Sequence, residues 1–181
     1  MENSEDKFPP NLPSKIQKLS ISAQICLRIF AVAATLAAAW LTLTNKESTQ
    51  IGVFVFDARY NYSSALRFFA FANVVVCAFS ALSLIFLFVV CRYGSNPAHF
   101  FFMFLNDLMM MCLVLAGCAA ATAEGFIGKY GNRHSGWMPI CDHFGRFCKT
   151  GTVSAILSYL ALLFLLMLTV NSASNSRQIH K

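Results

Sequence analysis

The stretch FFAFANVVVCAFSALSLIFLFVV, residues 68–90, contains no charged side chain, no proline and no glycine. As a helix rising about 1.5 Å per residue it is long enough to cross a hydrocarbon core of about 30 Å. Working outward, three more apolar runs of comparable length occupy 19–43, 100–121 and 153–170. All four are continuous, without the period-two alternation of barrel strands, and in lipid a continuous span must close its hydrogen bonds within itself. The sequence therefore predicts an all-α membrane protein, a bundle of four transmembrane helices.

The composition agrees. Of 181 residues, 57% are apolar and 12% charged, about half the charged fraction usual in a soluble domain. Nearly all the charges fall in the segments between runs: a tail at 1–18, loops at 44–67 and 122–152, a short turn at 91–99 and a tail at 171–181. The net charge of +6 comes from single Lys and Arg residues scattered through these segments, with no basic stripe, which argues against a nucleic-acid partner and leaves membrane lipid as the solvent. Ala37–Ala39 resemble a signal cleavage end, but the long preceding tail and Arg28 within the run favour a retained span.

With both termini cytoplasmic, the cytoplasmic side holds Lys7, Lys15, Lys18, Arg28, Arg92, Arg177 and Lys181. The opposite side holds Lys46, Arg59, Arg67, Lys129, Arg133, Arg146 and Lys149. The sides tie, and the first helix breaks the tie, because Lys15 and Lys18 before it and Arg28 in its first half outweigh Lys46 after it. This orientation places 44–67 and 122–152 outside and makes 91–99 a tight cytoplasmic turn around Gly94, Asn96 and Pro97.

Two charges remain inside the spans, Arg28 in the first and Asp107 in the third. Each alone would cost about 2.5–3.5 kcal/mol at the centre of a spanning helix. The first and third helices run parallel. Counted from Lys18 and His99, the two residues lie about 12–15 Å along their helices. Matched depth allows a bidentate carboxylate–guanidinium pair. The alternative is that Arg28 snorkels to the headgroups while Asp107 is protonated or bonded to Asn106 or a serine. Small residues at four-residue spacing, Ala31, Thr35 and Ala39 in the first span and Gly117 with Ala121 and Ala116 with Ala120 in the third, mark where helices can touch, or are plain apolar filler.

Outside the membrane the richest segment is GWMPICDHFGRFC, residues 136–148. A Cys141–Cys148 disulfide would close a short ring and present Phe144 and Phe147, with Trp137 nearby, for recognition. The alternatives are free thiols or a metal bound by both thiolates with His143 and His134, although the spacing matches no familiar zinc pattern. In the first loop, Phe54, Phe56, Tyr60 and Tyr62 suit interfacial anchors or ligand contacts. Asn61-Tyr62-Ser63 is a candidate glycosylation site close to the second span. Cys91, beside Arg92, is a candidate palmitoylation site, or an ordinary buried thiol.

The spans contain no paired histidines for haem and no Cys-x-x-Cys. The chain has no phosphate-binding glycine loop, no His-Glu metal signature and no nucleophile elbow. These absences point away from an enzyme and from any cofactor or catalytic or metal site. A small channel or transporter subunit in which Asp107 titrates stays open as the alternative function. Neither the second nor the fourth span is interrupted by proline or glycine as a midplane binding site would require.

The arginine of the first span, the run DLMMMCLVLAGCAAATA beginning at Asp107, and a second loop with Trp137 and the Cys141/Cys148 pair together resemble the Casparian strip membrane domain proteins. More narrowly, they resemble the plant CASP-like proteins of the first subfamily. The resemblance implies a MARVEL-like four-helix protein of the plasma membrane with cytoplasmic termini. It also implies homodimers or higher homo-oligomers, hetero-oligomers with related members, and secreted cell-wall proteins as partners. Strip-forming members build scaffolds that exclude other membrane proteins and direct local lignification. The family's arginine and aspartate carry over to Arg28 and Asp107, and its loop cysteines to Cys141 and Cys148. Where strip-forming members have an acidic-Leu-Pro-aromatic signature, this chain has IGVFVFD at 51–57. That departure turns the expectation toward a non-enzymatic scaffold at another membrane domain, its helices associating through the small-residue faces and the Arg28/Asp107 pair.

Overall fold

The structure, a computed structural model, describes residues 12–51, 53–93 and 97–179, with side-chain surroundings for 22–50, 53–89 and 101–173. It holds four long helices, α1 (Leu12–Thr44), α2 (Ser64–Tyr93), α3 (Pro97–Tyr130) and α4 (Gly145–Ile179). Each contains a segment long and apolar enough to cross a membrane: Ser22–Thr44, Ser64–Val89, Phe101–Tyr130 and Gly145–Ala173. α1 and α3 each pack against both α2 and α4, so α1 faces α3 across one diagonal of the bundle and α2 faces α4 across the other. α1 begins and α4 ends at one end, here the terminal end; the opposite end carries the two longer connections.

The helices outrun the apolar runs. α3 continues past position 121 to Tyr130, and α4 begins at Gly145, so the connection expected at 122–152 shrinks to 131–144. Hydropathy marks where lipid ends, whereas a helix stops where its backbone is capped. α3 is stopped at Gly131, which takes φ 68°, the left-handed C-terminal position glycine favours. A Cβ there would stand 2.6 Å from the Trp137 carbonyl oxygen. The other connection, the loop expected at 44–67, holds an antiparallel hairpin of β1 (Lys46–Ile51) and β2 (Phe54–Arg59) and a single 3-10 turn at Tyr60–Tyr62. Its signal was the aromatic and β-branched Phe54-Val55-Phe56.

Three helices bury a seam with strictly alternating four- and three-residue steps: Gln24, Arg28, Ala31, Thr35, Ala38 and Thr42 on α1; Phe69, Asn73, Val76, Ser80, Ser83 and Leu87 on α2; Ser154, Ser158, Ala161, Leu165, Leu168 and Ser172 on α4. α3 contributes Met103, Asp107, Val114 and Cys118 in the same rhythm. A 3.5-residue repeat is the spacing that keeps helices meshed at the shallow crossing angles of a four-helix bundle. Polarity is inverted relative to a soluble bundle. Hydroxyls, amides and the two charges lie inside, while Phe30, Trp40, Phe71 and Leu163 are more than half exposed on the outer surface.

The small residues are used within this bundle. Ala31, Thr35 and Ala39 are buried, and a Cβ on Gly117 would meet the Ala72 Cβ at 3.1 Å, so α2 and α3 approach closely there. These positions, expected to serve contacts between copies, are consumed inside one protomer. Ala116 instead faces outward.

Candidate functional site

Arg28 and Asp107 project from the diagonal helices α1 and α3 into the middle of the bundle, where they are 0% and 1% exposed. Arg28 Nη1 donates to Asp107 Oδ1 at 2.8 Å, and Nη2 donates to Oδ2 at 2.6 Å. The contact is bidentate and uses both terminal nitrogens, so the guanidinium is held at depth and does not snorkel. The neighbouring Asn106 reaches sideways, its Nδ2 donating to Ser83 Oγ on α2 at 2.8 Å. A neutral, planar pair of this kind is the least costly way to carry both charges in lipid. It ties two helices that otherwise barely touch, and it does so within a single chain.

Toward the hairpin end a second polar bridge crosses the other diagonal, where Ser158 Oγ donates to Asn73 Oδ1 at 2.9 Å. Asn73 Nδ2 in turn donates to the Phe69 carbonyl at 2.9 Å. Above it Thr42 and Ser154 share a 2.7 Å hydroxyl contact between α1 and α4, with Ser154 Oγ also 2.7 Å from the Ala38 carbonyl. Asn73, Thr42, Ser154 and Ser158 were not identified as bridging residues from the sequence. Their seam spacing was the available signal.

At the hairpin end the chain builds a clasp. Cys141 and Cys148 form a disulfide with a Cα–Cα separation of 5.7 Å, which leaves the thiolate-metal alternative without its sulfur ligands. Among the described residues no three His, Cys, Asp or Glu side chains gather as a metal site. β1 then docks onto the disulfide ring. The Phe147 N–H, in the first turn of α4, donates to Glu47 Oε2 at 2.6 Å. Asn45 Nδ2 donates to the Phe147 carbonyl at 3.0 Å, and Thr49 Oγ1 to the His143 carbonyl at 3.2 Å. Glu47 and Thr49 share one face of β1 by its two-residue period, and Asn45, between the end of α1 and the strand, adds the third contact. A carboxylate at a helix N-terminus also complements the helix dipole.

The loop residues expected to be displayed separate into two groups. Trp137 is 59% exposed and pairs its backbone with Asn132, but Phe144 is 8% exposed and Phe147 half-buried. Phe144 is therefore corrected from a recognition residue to a packing one, because the turn closed by the disulfide folds its ring inward. Asn61 is exposed in the 3-10 turn, while Ser63 of the same sequon accepts the Leu66 N–H at 3.3 Å and caps α2. Cys91 lies in the last turn of α2, and its side chain lies outside the described residues.

Residues 17–164 match the family described as Casparian strip membrane protein domain. The chain is 62% identical to CASP-like protein 1F1 of Ricinus communis over 180 residues, 99% of each chain. It is 55% identical to CASP-like protein 1F1 of Populus trichocarpa, again over 99% of each. It is 50% identical to CASP-like protein 1F1 of Vitis vinifera over 99% of this chain and 87% of the relative. No solved structure matches.

Proposed function

The chain belongs to the Casparian strip membrane protein family, within its first CASP-like subfamily, and from that premise we propose that it is a non-enzymatic, oligomeric scaffold of the plasma membrane. The observation that carries this reading is the bidentate Arg28–Asp107 pair. The two charges available for conduction or proton transfer are instead paired with each other across the bundle, as structure. What such a protein offers its surroundings is an apolar outer surface for lateral contacts and a rigid cap at the hairpin end.

In this reading both termini are cytoplasmic and the clasp faces the cell wall. The disulfide supports that orientation, since Cys141 and Cys148 persist as a bond on the oxidising side of a membrane. Copies associate with one another and with related members through the outer helix surfaces, and the exposed parts of the cap, including Trp137, meet secreted wall proteins. The test is photobleaching of a tagged copy in a plant plasma membrane. Confinement to patches with slow recovery is expected. Uniform labelling with rapid, complete recovery would overturn the scaffold.

A further inference from the structure

Among the described residues, two buried side-chain polar atoms lack a hydrogen-bond partner: Nε2 of Gln24 and Nε of Arg28. They are neighbours. Residues 24 and 28 are successive seam positions one turn apart on α1, 1% and 0% exposed. The end-on pair with Asp107 occupies both terminal nitrogens of Arg28 and leaves its Nε–H beyond the carboxylate. Buried donors are nearly always satisfied. Two adjacent unsatisfied donors on one face therefore call for a shared acceptor.

The level of this spot follows from the contacts already described. Thr42 of α1 touches Ser154 of α4. These helices are antiparallel neighbours, so moving 18 residues along each (42 to 24, 154 to 172) brings Gln24 level with Ser172, which is 1% exposed. α3 runs parallel to α1, and Met103 precedes Asp107 by four residues as Gln24 precedes Arg28. The layer beside the ion pair thus holds two polar side chains, Gln24 and Ser172, with Met103 and its seam neighbour Leu87. On the other side of the pair lie Ala31 and Leu165, both fully buried, with the buried Ser80 of α2 at the same level.

The acceptor must be neutral, because Asp107 already balances Arg28 and a further anion would be buried unpaired. It must be small, since the site is shut from solvent, and able to donate as well as accept. We propose that a water molecule is bound here, its oxygen accepting from Gln24 Nε2 and Arg28 Nε and one hydrogen directed to the Ser172 hydroxyl. Internal waters typically make about three such bonds. The ion pair is then hydrated on the side toward the terminal end, and Gln24 is the residue that positions the water.

The test uses the full chain in phospholipid bilayers with labelled arginine, followed by water-to-protein magnetisation transfer in solid-state NMR. Arg28 is identified by its dipolar contact to the Asp107 carboxyl carbon. Transfer from water to the Arg28 Nε–H is expected in the unmodified protein, reduced several-fold in Gln24→Leu and reduced less in the milder Ser172→Ala. A protected Nε–H that receives no transfer while the Asp107 contact is intact overturns the proposal. So does the absence of that contact, or transfer of equal strength in both variants. The unmodified protein alone decides the first two outcomes, so a variant that fails to fold does not shelter the idea.

Discussion

Arg28 can be tolerated in a bilayer by reaching the headgroups or by meeting an acid at its own depth, and the 2.6–2.8 Å contacts to Asp107 realise the second. Removing one partner leaves the other charged, buried and unpaired, a change worth about 3–5 kcal/mol, whereas replacing both by apolar residues of similar volume is often neutral. Arg28→Met and Asp107→Leu are therefore expected each to lower the thermal unfolding midpoint and the folded yield in a fixed detergent more than the double replacement does. Exchanging the residues, Arg28→Asp with Asp107→Arg, is expected to recover part of what either reversal loses. A double replacement as damaging as the singles would contradict the pair's structural role. Counting turns from Lys18 and His99 made this contact legible in the sequence, because two charges in otherwise apolar helices have few ways to be satisfied. The hydroxyl bridges were not legible. A serine or threonine in a helix can satisfy itself on its own backbone, as Thr35 does on the Ala31 carbonyl at 2.8 Å, and only the antiparallel register puts Thr42 on Ser154.

The contacts that Asn45, Glu47 and Thr49 make with His143 and Phe147 join segments about a hundred residues apart in sequence, and they converge on the ring closed by Cys141 and Cys148. Glu47 acts as an N-terminal cap supplied from a distant strand. Glu47→Ala is expected to cost about 1–2 kcal/mol, seen as faster amide hydrogen exchange at Phe147 and in the rest of the first turn of α4, while exchange in the middle of α4 is unchanged. Cys141→Ser removes the ring itself, at about 2.5 kcal/mol by the loop-entropy model, and should release β1 as well as the turn. Protection of the hairpin amides that survived the loss of the disulfide would show that β1 does not depend on the ring. Hydropathy found the four apolar runs, and the helices that contain them extend further. It registers burial in lipid and carries no information on capping, so the continuation of α3 to the positive-φ Gly131 and the early start of α4 lay outside its reach. Phe144 was misread for a related reason: an aromatic residue in a polar loop looks displayed until the turn that buries it is known.

Across the whole molecule, polarity points inward, and the apolar exterior contributes no hydrophobic drive between helices, since lipid is as apolar as leucine. Cohesion then rests on close backbone approach and internal polar contacts. Even at the margin of the bundle the half-buried Thr122 and the exposed Tyr159 meet each other at 2.9 Å. This divides α3 into two faces with different consequences for assembly. Gly117 lies inside, with no room for a Cβ beyond 3.1 Å from Ala72, so Gly117→Leu forces overpacking worth about 1–3 kcal/mol. Ala116, its neighbour in sequence, faces outward, so Ala116→Leu should change stability by no more than about 0.5 kcal/mol. Thermal unfolding of the two variants in one detergent is expected to separate them clearly, the first losing midpoint and the second keeping it. Any change in lateral mobility caused by Gly117→Leu then reflects a damaged protomer, while a change caused by Ala116→Leu reports contacts between copies. Equal loss of stability in both would mean that the outer face of α3 is packed within the protomer, and the separation of a sealed interior from an associating exterior would fail.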